Sequence, residues 1–446
     1  MDGIPRLSQA LPLALQHVVA MIVGCVTPAI IVSGAAGLPN EEKILLIQAS
    51  LVVSALATFL TLFPVRIGSF RLGAGLPMIL GVSFAYVPSM QSIAGTSGVS
   101  AILGAQIIGG IIAVLVGLSI DKIRRFFPPL IAGTVVFTIG LSLYPTAINY
   151  MAGGTGSADY GSWKNWLISI ITLVIVTLLN HFAKGFVKLA SILIGMVCGY
   201  VIAMCFGMIS FDAVGEAAVV TVPQLFHFGL TFDPAACVAL GLLFAINAVQ
   251  AIGDFSATTT GGLDRQPTNQ ELKSGIVGYG VTNVIGACLG CLPTATYSQN
   301  VGIVTTTRVV NRATLGLAGM IILIAGLFPK FSALLTTIPY CVLGGATVSV
   351  FASIAMTGMK LVMSEKMTAR NTSIVGLATA LGMGITQASA ALADFPAWVM
   401  TVFGKSPVVI ATIAAILLNV TLPRDRETTA AEAEAAGTVM EDPTKS

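Results

Sequence analysis

Long apolar runs follow one another almost without pause from near the start of the chain to residue 422. A transmembrane helix needs roughly 20 predominantly apolar residues. At that length the sequence divides into fourteen runs: 12–35, 43–65, 72–90, 97–119, 127–147, 163–181, 187–209, 234–254, 273–291, 293–307, 313–334, 337–359, 371–391 and 405–422. Only 9% of the residues are charged, against about 25% in soluble domains, so a soluble globular fold is excluded. The runs are continuous rather than alternating, which argues against a transmembrane β-barrel. The 47 glycines favour close helix–helix packing in lipid. The expected fold is an all-α polytopic membrane protein with 14 transmembrane segments. Residues 1–422 then form one transmembrane domain, and the polar residues 423–446 read as a disordered tail.

The first run begins at Pro12 and is too long for a cleavable signal peptide. A net charge of +3, scattered along the chain, gives no reason to expect a nucleic-acid partner. Most of the 7 cysteines lie inside apolar runs, so no disulfide framework is expected. Cys288 and Cys291 form a CxxC in an apolar, glycine-rich stretch, which we read as core packing rather than a metal or redox site.

Orientation follows from the basic residues of the short loops. With the N-terminus inside and fourteen crossings, 18 of the 22 Lys and Arg fall on the cytoplasmic side. The other side holds Lys43, Lys164, Lys330 and Lys405. A miscount of one helix in the middle would destroy this asymmetry. Both termini are therefore expected in the cytoplasm, with the chain in the cell membrane.

Fourteen spans divide into two sevens, and an odd number per half makes the second half inverted relative to the first. The third spans of the two halves correspond. One reads Gly75-Leu76-Pro77-Met78-Ile79-Leu80-Gly81-Val82-Ser83, the other Cys291-Leu292-Pro293-Thr294-Ala295-Thr296-Tyr297-Ser298-Gln299. Both place Leu-Pro ahead of a short segment ending in polar residues. Broken backbone at membrane depth is tolerated only where it is buried in protein or lines a cavity. Paired broken spans are accordingly the best sequence pointer to a transporter's binding site. The plainer alternative is that each proline simply kinks a packed helix.

Few ionisable groups enter the spans, and those that do are costly. Asp254 is the one carboxylate placed at the end of a span. Asn247, Gln250 and Asp254 stand at i, i+3 and i+7, on one face of the eighth helix. Such a stripe either lines a site or bonds to a neighbouring helix. His17, beside Gln16 in the first span, is open to the same two readings, hydrogen bonding between helices or ion coupling. The densest polar constellation is Tyr297-Ser298-Gln299-Asn300-Val301-Gly302. The amides of Gln299 and Asn300 each offer two donors and an acceptor, which suits a planar heterocycle with alternating N–H and C=O edges.

These residues resemble a known family. Gln299-Asn300-x-Gly302-x-x-x-x-Thr307-Arg308 is similar to the signature of the nucleobase–ascorbate transporters, also called nucleobase:cation symporter-2. Gln16-His17 with the following Val18–Gly24, Ser83-Phe84-Ala85-Tyr86, and Gly253-Asp254-x-x-Ala257-Thr258 match as well, and the similarity spans all but the tail. The resemblance implies a 7+7 inverted repeat. Spans 1–4 and 8–11 would form a core and spans 5–7 and 12–14 a gate, with short strands flanked by half-helices in spans 3 and 10. It implies a homodimer that carries a nucleobase between core and gate, with no cofactor and no metal. Residue by residue, Gln299 and Gln250 match the positions that hydrogen-bond the base. Phe84, Ala85 and Tyr86 match the segment that stacks on or flanks the ring, and Ser298 and Asn300 flank Gln299. Members with Gln at position 299 tend to take xanthine or urate, and those with Glu uracil, so a purine is expected here.

Two positions depart from the family pattern. Gln250 stands where Glu is usual, and Tyr279 where an acid is usual. Neither an amide nor a phenol titrates readily near neutral pH. Coupling to H+ or Na+ then falls on Asp254 or His17, or is absent. The alternatives are a uracil permease, an uncoupled base facilitator, or an anion carrier of the same architecture. No enzyme motif is visible: there is no HExxH, Walker loop or pair of intramembrane carboxylates.

Overall fold

The computed structural model describes residue 3 and residues 5–423, apart from 69, 121–127, 397–398, 400–402 and 404–405. The tail expected to be disordered therefore lies, from residue 424 onward, outside the described residues, as do Lys122, Arg124, Arg125 and Lys405 of the charge count. In chain order the elements are α1 (Leu7–Ala35), α2 (Asn40–Leu62), β1 (Val65–Ile67), β2 (Phe70–Leu72), β3 (Leu80–Val82), a 3-10 turn (Phe84–Tyr86) and α3 (Val87–Leu118). There follow α4 (Pro129–Ser142), α5 (Tyr144–Met151), α6 (Trp163–Phe182), α7 (Gly185–Leu189), α8 (Ser191–Cys205) and α9 (Asp212–Glu216). The second half holds α10 (Pro234–Leu263), α11 (Asn269–Cys288), β4 (Thr294–Thr296), α12 (Ser298–Thr307), α13 (Arg312–Leu327), α14 (Pro329–Thr336), α15 (Tyr340–Met363), α16 (Ala369–Gln387) and α17 (Pro407–Thr421).

The chain is a helical, multi-pass membrane protein. Among the described residues seven helices are long and apolar enough to cross a membrane. An eighth counts if α13 and α14, bent by 81°, make one span. The other expected spans correspond to shorter or more polar helices, such as the 15-residue α8 and α17 and the 10-residue α12. Within α3, Gly98 has φ 79° and ψ 177°, so two helices meet there at a kink rather than running as one.

Three features differ from the sequence expectation. Residues 65–72, which cover the end of one expected span, the gap 66–71 and the start of the next, form an antiparallel hairpin pairing Val65 with Leu72. No half-helix precedes β3 or β4 among the described residues: the left-handed glycines Gly73 and Gly75, with Pro77, keep that approach non-helical, and Gly290 with Pro293 does the same ahead of β4. Finally, α10 continues nine residues beyond Asp254, which therefore lies inside a helix and not at its end. The run 255–263 carries hydroxyls at Ser256, Thr258, Thr259 and Thr260, but Thr258 and Thr259 are buried, and Thr259 donates its hydroxyl proton to the carbonyl of Phe255 at 2.9 Å.

Strands β3 and β4 pair antiparallel, Leu80 opposite Thr296 and Val82 opposite Thr294. A two-stranded ribbon has two open edges, and unpaired backbone groups in a membrane interior cost several kcal/mol each. Side chains from flanking helices bond to both edges. On the β3 side, Thr58 of α2 donates to the Leu80 carbonyl (3.1 Å) and accepts from its N–H (3.2 Å), while Ser54 accepts from the N–H of Val82 (3.3 Å). On the β4 side, Asn283 of α11 accepts from Thr294 N–H (2.8 Å) and donates to its carbonyl (3.3 Å). Gln106 of α3 in turn donates to Asn283.

Helices pack in two groups. One gathers α1, α2, α3, α10, α11, α12 and α13 around the β3–β4 ribbon, and the other gathers α4, α5, α6, α8, α15, α16 and α17. Where they touch, Ser89 of α3 and Ser406, just ahead of α17, share a buried hydrogen bond of 2.8 Å. Thr146 of α5 reaches Gln91 of α3 at 3.3 Å.

Candidate functional site

A cavity of about 230 Å³ lies where the two helix groups face each other. That is slightly below the usual range for drug-sized ligands, so it suits a smaller molecule. Its two walls differ in chemistry. The wall from the ribbon group carries Gly24 of α1, Ser83, Phe84 and Ala85 after β3, Gln250 of α10, and Thr296, Tyr297, Ser298 and Gln299 of β4 and α12. The opposite wall is largely aliphatic, with Val136, Ile139, Ile192, Val350 and Ile354, relieved by Ser353 and Thr357. No Lys or Arg lines it.

The antiparallel ribbon explains this arrangement. The chain leaves β3 and β4 in opposite directions and enters a helix each time, so two helix starts border one cavity. Their first N–H groups have no helical acceptor and carry the positive end of the helix dipole. Ser83 caps the first of them by accepting from Ala85 N–H at 3.2 Å. The ribbon is tied at the cavity by Tyr297, whose hydroxyl donates across to the Val82 carbonyl at 2.6 Å. The glycine at position 81 is what permits this. A Cβ there would stand 2.8 Å from the Tyr297 ring and from Cys25 Sγ.

Of the expected base-binding residues, the cavity brings together Gln250, Gln299, Phe84, Ala85 and Ser298. Gln299 is exposed and Gln250 half-buried, and neither amide is bonded to another described residue, so both edges are free for a ligand. Phe84 is buried and stands edge-on to Phe351 of α15, with ring centroids 5.3 Å apart. Two expected residues lie elsewhere. Tyr86 turns away into the protein and hydrogen-bonds Tyr279, because successive residues of a 3-10 turn point in different directions. Asn300 turns toward α1, where its Nδ2 donates to His17 Nδ1 (3.0 Å) and to the His17 carbonyl (3.2 Å).

That contact settles the geometry of His17. Its Nδ1 accepts, so the proton belongs on Nε2 by the logic of the network. His17 is fully buried, Nε2 has no partner among the described residues, and the ring does not line the cavity. Asp254 lies directly behind the cavity wall. Its carboxylate accepts from the hydroxyls of Thr296 and Ser298, the latter at 2.9 Å, and both donors line the cavity. No basic side chain pairs with Asp254 among the described residues. Asn247, the third member of the polar stripe, bonds its own helix at the Leu243 carbonyl and does not line the cavity.

Residues outside the expected set also build the site. Thr58, Ser54 and Asn283 hold the ribbon, and Thr296 orients Asp254. Their sequence signal is faint: Ser54 and Thr58 are an i, i+4 pair of small polar residues in an otherwise apolar span. Cys291 is buried, with its thiol against the Leu292 carbonyl at 3.0 Å.

Comparison with known proteins gives a consistent picture. A model described as "Permease family" matches residues 8–391. The chain is 35% identical over 415 residues to the xanthine permease of Bacillus subtilis, covering 92% of this chain and 93% of that one. It is 36% identical over 413 residues to the uric acid permease PucK of the same organism, covering 92% and 95%. A putative purine permease of Clostridium perfringens is 34% identical over 414 residues, covering 92% and 89%. Among solved structures, the transmembrane domain of the cyanobacterial bicarbonate transporter BicA superposes with a TM-score of 0.62 at 16% identity, covering 93% of this chain and 98% of that one. At that identity the likeness concerns the fold alone.

Proposed function

Because this chain belongs to the Permease family, we propose that it carries a purine nucleobase, of the xanthine or urate type, across the cell membrane. The observation that carries this reading is the pair of free amides, Gln250 and Gln299, facing one small cavity beside Phe84 and Ala85. An amide presents a donor and an acceptor side by side. Two of them, set on different helices, match the alternating N–H and C=O edges of an oxopurine, and the Phe84 ring offers an apolar flank. The aliphatic far wall excludes water from the ring faces. An inorganic anion would find no cationic side chain here.

We assign the two helix groups as core and gate, in a 7+7 inverted repeat of fourteen spans with both termini cytoplasmic. The base rides on the core between the two walls, and core and gate move against each other. Ser89–Ser406 and Gln91–Thr146 are contacts that such a movement must break.

The purine preference is tested by competition. In proteoliposomes, xanthine or urate should displace labelled substrate at a concentration at least about tenfold below that of uracil, the difference one buried hydrogen bond makes. Uracil winning would move the protein to the pyrimidine branch.

Coupling, in this reading, rests on Asp254. Gln250 has no proton to exchange, whereas Asp254 contacts the cavity through Thr296 and Ser298. Replacement with Asn keeps one of the two acceptor oxygens, turns the other into a donor and removes the charge. Asp254→Asn should reduce gradient-driven accumulation to the level of empty vesicles, while base still exchanges across the membrane. Native accumulation in this variant would transfer the role to His17.

A further inference from the structure

Outside the cavity, the least expected feature of the interior is a pair of buried phenols. Tyr86 is fully buried and Tyr279 is 1% exposed, and their hydroxyls hydrogen-bond to each other. Both rings lean on Phe244 of α10. Tyr86 lies 4.8 Å from it at an interplanar angle of 37°, and Tyr279 5.9 Å from it at 32°. Phe244 itself cannot shift toward α3, since it occupies the space above Gly109, where a Cβ would stand 2.1 Å away. The three rings thus form a fixed block between α3, α10 and α11.

Tyr86 is the last residue of the three-residue turn that presents Phe84 and Ala85 to the cavity. The turn is short, capped by Ser83 and closed by the Tyr86 N–H on the Ser83 carbonyl. It has no slack, so rotating Tyr86 out of its block must carry Phe84 and Ala85 with it. We propose that the Tyr86–Tyr279 pair is a positioning element that sets where Phe84 and Ala85 stand, and so governs which purine the cavity accepts. The inference rests on the reading of the cavity as a purine site. Neither tyrosine touches the base; both act through the turn.

The two hydroxyls satisfy only each other, which makes the pair testable by subtraction. Tyr279→Phe leaves the Tyr86 hydroxyl buried without a partner, and Tyr86→Phe does the reverse. The double variant removes both. With full-length protein in proteoliposomes, each single variant should raise the KM for xanthine about tenfold, leave turnover within about twofold, and change the ratio of xanthine to urate affinity. The double variant should return most of the way to the native KM, because no orphaned hydroxyl remains to displace the turn. Tyr150→Phe, at a buried tyrosine that packs at a tilt against Tyr340 and does not line the cavity, serves as the control and should change neither quantity.

Single variants with native KM and native preference, altered only in melting temperature, would show ordinary core packing and overturn the proposal. A single variant that fails to fold passes the decision to the double variant. There, an altered ratio of xanthine to urate affinity supports the proposal, because the tie that sets the turn is gone, and a native ratio overturns it. Native protein is measured first. If it takes up no purine, the functional reading fails and this inference with it; if it does, unchanged variants defeat the inference alone.

Discussion

Gln299→Ala is expected to lose base binding below the range of calorimetric detection in detergent. Gln299 stands at the first turn of α12 with its amide free in the cavity. Alanine would leave one polar edge of a buried base facing an empty space. Each buried hydrogen bond left unmade costs about 1–3 kcal/mol, and an amide that both donates and accepts supplies two, so affinity should fall by at least about a hundredfold. The fold should survive, because no other described residue bonds to this side chain. A Gln299→Ala protein that binds base with native affinity would remove the residue from the site. Cys291→Ala is the companion control, and its buried thiol should be dispensable for binding.

The second large effect concerns stability. Asn283→Leu keeps the number and branching of the side-chain heavy atoms but removes the only partners that two backbone groups of Thr294 have among the described residues. It also takes one acceptor from Gln106, whose Oε1 already lacks a partner. In a dry interior each orphaned backbone group costs about 1–3 kcal/mol, so the ribbon edge should lose about 2–6 kcal/mol. We expect a lower melting temperature in detergent together with weakened base binding, since β4 runs directly into Ser298 and Gln299. A variant as stable as native would mean that β4 does not depend on Asn283.

Much of the architecture is legible in the sequence because the membrane imposes a simple rule. Apolar stretches of helical length mark spans, and the helices α2, α6 and α15 fall within a few residues of the runs 43–65, 163–181 and 337–359. The broken segments are legible from Leu76-Pro77 and Leu292-Pro293, because proline removes a helical hydrogen bond and here follows closely on a left-handed glycine, Gly75 or Gly290. The strands beyond each break carry no such mark. Their register depends on which side chains of α2 and α11 can close the edges, and a serine or threonine in an apolar run gives no hint of its target. The end of α10 is equally hidden, because threonines that bond back to their own helix look the same in sequence as threonines in a loop.

The convergence of the candidate site is legible as a set but not residue by residue. Gln250, Gln299, Phe84, Ala85 and Ser298 converge, whereas Tyr86 and Asn300 turn to other helices. Neighbours on a helix start point about 100° apart, so a motif read as a string always spreads over more than one face. Asn300 and His17 belong together as a tie between α12 and α1. Asp254 belongs with Thr296 and Ser298, behind the wall and not in it.

Counterflow of labelled xanthine or urate into proteoliposomes tests the account most directly, since it needs neither a gradient nor a known coupling ion. Vesicles loaded with unlabelled purine should take up external label transiently above equilibrium, and Gln299→Ala vesicles should not. Native vesicles that behave like protein-free ones with both purines would contradict purine transport by this cavity.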